Sequence, residues 1–243
     1  MRYWLLRTSL IIGVSLLLVS LLDSAALGAR VSLPSPDPAF PSAFSPSVTN
    51  SPAAAKLSFR RVFKSSTPEF IEIIVGEDSD DATYEIRQLD DDPGAASFQV
   101  SAPLRAKMFE LAGQLNHFMS QDIDVHRKIA NLGEKTFRWQ KGTEAHEVKF
   151  NYTLNSAATQ LLQIFEGLAR QQELLMLLER RMKYDRLGIN DALLQFEADL
   201  NRNLLPEPQR ALPTLDQISG DSRFVEIGRQ RARALAERIR HQS

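Results

Sequence analysis

Apolar residues recur at every second position in several short runs within residues 56–150, and at every third or fourth position from Asn155 onward. A period of two sends successive side chains to opposite faces of a strand, whereas 3-4 spacing draws one stripe along a helix. The two patterns come in blocks and do not alternate strand by helix, which excludes a parallel sheet built from βαβ units. The chain is expected to be α+β: antiparallel strands with a packed helix, followed by an all-helical C-terminal part.

Within the first block, Leu57, Phe59 and Phe63 share one face of a strand, and Ile71, Ile73 and Val75 one face of the next. Tyr84 and Ile86 mark a third strand, Phe98 and Val100 a short fourth. Ser101 can cap a helix whose stripe is Leu104, Met108, Leu111 and Leu115, with Pro103 in the first turn, where its missing N–H costs nothing. An irregular stretch leads to a hairpin around Lys141-Gly142, in which Phe137 and Trp139 can meet Val148 and Phe150. The long helix after Asn155 carries Leu161, Ile164, Leu168, Gln171, Leu175, Leu178 and Met182 at 3-4 spacing. Gly188 interrupts, Ile189, Leu193, Phe196 and Leu200 stripe another helix, and Pro206 and Pro208 break it. Ser222 is the expected cap of a last helix.

Ahead of these blocks, residues 1–29 read as a signal peptide. Arg2 and Arg7 form a positive start, Leu10 to Leu22 an uncharged apolar run, and Ala26-Leu27-Gly28 a plausible cleavage site. The run is short against the ~20 residues of a membrane span, and an uncleaved N-terminal anchor is the alternative. Residues 30–55 hold six prolines and six serines with few apolar anchors, the composition of a disordered tether. The expected division is therefore signal peptide 1–29, Pro/Ser-rich linker 30–55, α+β domain 56–154 and a helical region 155–243 packing on it. There is no cysteine, which excludes disulfides, thiolate nucleophiles, a lipoprotein anchor and cysteine-held zinc.

"ATYEIRQ", "LRAKMFELAGQLNHF" and "FRWQKGTEAHEVKFN" resemble, in order and spacing, an uncharacterised domain of bacterial exported proteins. That domain combines a strand meander, a helix ending in an aromatic residue, and a hairpin. The resemblance covers about residues 57 to 170 and implies the fold and export. It implies no activity. The glycine that such domains carry after the "YEIR" strand is replaced here by Leu89-Asp90-Asp91-Asp92-Pro93-Gly94.

Three stretches suggest chemistry. "VGEDSDDATYEIRQLDDDPG" holds eight carboxylates, but Asp81 and Asp90 are separated by an extended segment of ~30 Å, too far to share one cation. The acids read as turn residues at two strand ends. Asp122, Asp124 and His126 share a face if extended and offer two carboxylates and an imidazole to a divalent metal; the plainer reading is a capped turn. The C-terminal "DSRFVEIGRQRARALAERIRHQS" sets Phe224, Val225, Leu235 and Ile239 on one arc, with Arg229 and Arg233 on its border. Such a helix packs on its own protein or meets a partner. His117 can satisfy helix-end carbonyls, and His146 alternates with apolar neighbours as a half-buried residue.

With a net charge of -1 and no aromatic interleaving in the basic segment, a nucleic-acid partner is not expected. No cofactor motif is present, and the membrane enters only through an uncleaved N-terminus. The expectation is an exported, periplasmic or secreted protein that binds or scaffolds in the cell envelope without catalysis. The alternative is a metal-dependent hydrolase using Asp122, Asp124 and His126.

Overall fold

A computed structural model describes residues 54–64 and 66–242. The expected signal peptide, and all but the end of the expected tether, lie outside the described residues. The strands are β1 (Lys56–Val62), β2 (Phe70–Gly76), β3 (Asp81–Arg87), β4 (Ala96–Gln99), β5 (Glu134–Lys141) and β6 (Glu144–Phe150), and the helices α1 (Ala102–Gln114), α2 (Ser156–Tyr184), α3 (Ile189–Asn201), α4 (Leu212–Gly220) and α5 (Glu226–Gln242). The fold is α+β, with an antiparallel six-stranded sheet in the order β4-β3-β2-β1-β5-β6.

The alternation decides which face is covered. Reading across the sheet, Tyr84 pairs with Ile73, Ile73 with Phe59, Phe59 with Phe137 and Phe137 with Val148, so one row of apolar side chains points the same way. Helix α1 lays Met108, Leu111 and Ala112 on that face, and α2 lays Ala158, Leu161, Phe165 and Leu168 on it. Phe137 is the hub, with ring centroids of Phe150, Phe118, Phe59 and Phe165 at 5.0, 5.6, 5.8 and 5.9 Å. Phe118 reaches it through three successive left-handed residues, Asn116, His117 and Phe118 (φ 50°, 50° and 66°). That conformation costs ~1–2 kcal/mol per residue, and burial of the Phe118 ring to 1% exposure opposes it.

The expected cap operates at α1, where Ser101 Oγ accepts from Leu104 N, and the structure adds one at α2, where Asn155 Oδ1 accepts from Ala158 N. Two local expectations are corrected. The hairpin turn is Gly142-Thr143, not Lys141-Gly142, because Lys141 still pairs with Glu144 and Gly142 supplies the positive φ (59°). Helix α5 begins at Glu226 rather than after Ser222, because Asp221 instead closes a turn, its carbonyl accepting from Phe224 N and its carboxylate from Arg223 N.

Helix α2 spans ~43 Å and serves two cores. Ala158 to Ala169 seal the sheet, while Leu174 and Leu178 join Ile189, Leu193, Phe196, Leu215, Ile218, Phe224, Leu235 and Ile239 in a second, all-helical core. The change of core thus falls inside α2, beyond Asn155, where the periodicity changes. A polar joint ties the halves: Glu207 N donates to Gln171 Oε1 (3.0 Å), and Ser101 N donates to Glu207 Oε1 (2.9 Å). Gly167 lets the Leu204 carbonyl and the Pro206 ring lie directly against α2.

Candidate functional site

The acidic stretch resolves into two turns. Asp80 holds Arg105 (2.5 Å) at the start of β3, and Asp91 accepts from Gln88 N (3.0 Å) beyond its end. Glu85 sits on the outer face of the sheet, opposite Tyr84 and Ile86, paired with Arg87 at 2.6 Å.

The structure brings Asp122, Asp124 and His126 together in the loop before β5. His126 Nε2 lies 2.7 Å from Asp122 Oδ2, and its Nδ1 3.6 Å from Asp124 Oδ2. Asp124 Oδ1 accepts from both Asn151 N (2.9 Å) and Tyr152 N (3.1 Å), and these bonds hold its carboxyl below the usual range. Asp122 raises the pKa of His126 by hydrogen bond and charge. An imidazole with a carboxylate at each nitrogen is arranged as a charged donor, whereas a metal requires a free nitrogen lone pair. Among the described residues, no group of three or more His, Asp or Glu is placed to hold a metal ion. The three residues staple the loop to the end of β6, and Asn151 completes the staple by accepting from Leu132 N (2.7 Å) and donating to Ala130 O (3.0 Å).

The C-terminal candidates divide. Phe224, Leu235 and Ile239 are buried in the second core and Val225 packs against it, so α3 and α4 already cover the apolar arc. Arg229 pairs with Glu226 within its own helix, and Arg233 is exposed. Arg231, on the α3 side, is held by Asn190 and Glu197.

One group of charges escaped the sequence reading. Arg61 and Lys135 are cross-strand partners on the covered face, in the same alternation as Phe59 and Phe137. Lys135 is 6% exposed and donates to Leu132 O (3.2 Å) and Asn151 O (2.9 Å); burial pushes its pKa down. Burial pushes the carboxyls of Glu166 and Glu173 on α2 up, against the pull of nearby cations. The signal was available: a cation in register with buried aromatics must point inward. Two imidazoles also flank Trp139, that of His117 at 4.6 Å and that of His146 at 5.8 Å between ring centroids.

A shallow groove of about 740 Å³ runs between α1, α2 and the 202–206 loop, lined by Leu104, Lys107, Gln163, Glu166, Arg170 and Arg202 among others. It gathers mixed charges without a nucleophile–base pair. Among the described residues, no helix is long and apolar enough to cross a membrane. No protein-family model matches the chain and no curated protein is significantly similar to it.

Proposed function

We propose that this is an exported protein that binds or scaffolds in the bacterial cell envelope without catalysing a reaction. The observation that carries the reading is the N-terminal sequence: a positive start, an apolar run, small residues at a cleavage position and a Pro/Ser-rich tether. The resemblance of residues 57 to 170 to a domain of exported bacterial proteins supports it. So does the use of the loop carboxylate of Asp124 for backbone amides. Protein partners, where the α5 side engages them, would meet exposed Arg233 and the groove between α3 and α5 around Ile227 and Arg238.

Cell fractionation of the full chain tests the reading. Recovery from the periplasm or membrane fraction is expected, either shortened after Gly28 or intact as an anchored form. An intact chain confined to the cytosol refutes it. The hydrolase alternative draws support from one observation, the approach of His126 to both carboxylates. It requires a rise in thermal midpoint on adding a divalent metal that is lost in Asp124→Asn.

A further inference from the structure

We infer that the end of α2 is a docking point for an anionic lipid surface. The described residues with the most exposed large apolar side chains, Leu187 (80%) and Tyr184 (73%), both lie here. Met176, Arg180, Lys183 and Tyr184 follow 3-4 spacing along one face of the last turns of α2, and Leu187 comes just beyond its end.

The charges are arranged around them. Arg180, Lys183 and Arg186 form no ion pair among the described residues; Lys183 Nζ lies 5.0 Å above the Tyr184 ring. The nearby acids are mostly engaged. Asp185 is held by Arg181 and accepts from Gly188 N (3.0 Å), and Asp221 is held by Arg223 at 2.6 Å while facing Arg186. Glu179 is the exposed acid on the same stretch without an ion pair, and Arg180 and Lys183 stand beside it, with Arg186 near the already paired Asp221.

Leucine and methionine flanked by cations, with a tyrosine whose hydroxyl stays wet, is the chemistry of shallow insertion between anionic headgroups. The inference rests on the export reading for the nearness of a membrane, while the surface chemistry stands apart from it.

Because the chain has no cysteine, Leu187→Cys in the full-length protein gives a unique site for an environment-sensitive fluorophore. Ser97→Cys on β4, exposed on a different element, serves as the control. Added vesicles of phosphatidylcholine with phosphatidylglycerol are expected to shift the emission at 187 to the blue and leave 97 unchanged. Raised salt, or the double change Lys183→Glu with Arg186→Glu, is expected to weaken the response about tenfold or more. Three results overturn the inference. The probe at 187 stays aqueous while the vesicles capture the protein, neutral vesicles give an equal shift, or the shift needs an added envelope protein fraction, which indicates an acidic protein partner. Fractionation reports on export separately.

Discussion

Replacing Gly167 by alanine tests the joint between the two cores. On an open helix surface this change stabilises by up to ~1 kcal/mol, because alanine loses less backbone entropy than glycine. Here the new Cβ would stand 2.8 Å from Leu204 O, 2.8 Å from Pro206 Cγ and 2.9 Å from Pro206 Cδ. None of those atoms belongs to a flexible side-chain end. Retreat of the loop is opposed by Leu204 N donating to Asp199 O (3.0 Å) and Glu207 N donating to Gln171 Oε1 (3.0 Å). Overpacking of this kind costs ~1–3 kcal/mol, and with rigid neighbours the upper half applies. The net effect is a loss of ~1–2 kcal/mol, a fall in thermal midpoint of about 5 °C for a fold of this size. Gly220→Ala is the internal control, since its Cβ meets nothing within 4 Å and its midpoint should hold or rise. Thermal unfolding followed by far-UV circular dichroism reads both. A Gly167→Ala midpoint at or above the parent value refutes the close-approach argument.

Three further outcomes are expected. Phe137→Ala empties the ring that four other phenylalanines contact and should cost ~3–5 kcal/mol, read from the denaturant midpoint at unchanged m-value; a loss under ~1 kcal/mol would mean the aromatic cluster is not the core of the sheet. Burial raises the Glu166 carboxyl above its ordinary 4.5, so the folded state binds the proton more firmly, and stability should fall as pH rises from 4.5 through the folded value. Glu166→Gln should flatten that slope in urea midpoints measured across the range, and an unchanged slope contradicts the assignment. His126 should titrate above 6.5 by NMR and move back toward 6.5 in Asp122→Asn, whereas Asp124→Ala, which removes the acceptor of two backbone N–H groups near the surface, should cost about 1 kcal/mol in urea unfolding.

The candidate site was only partly legible. Spacing alone separated the acidic stretch into two turns, because an extended strand fixes ~3.3 Å per residue. The approach of His126 to Asp122 and Asp124 depended on a left-handed residue (His126, φ 51°) and on acceptance from Asn151 and Tyr152, a strand away, which no local pattern encodes. The fate of the α5 stripe was open for the same reason. Amphipathicity says that a face is covered without saying by what.

The sequence by itself determined the blocks of strand and helix, the inward row Leu57, Phe59, Ile71, Ile73 and Val75, and the cap at Ser101, because these rest on side-chain period and on local hydrogen bonds. Tertiary structure alone decided that β5 docks on β1 and not on the nearer edge β4. The seven-residue β1 offers a full free edge in register with Phe137 and Trp139, and β4 has four residues. It also decided that α2 belongs to two cores. Nonlocal pairing sets these choices, and a periodic pattern carries no record of its partner.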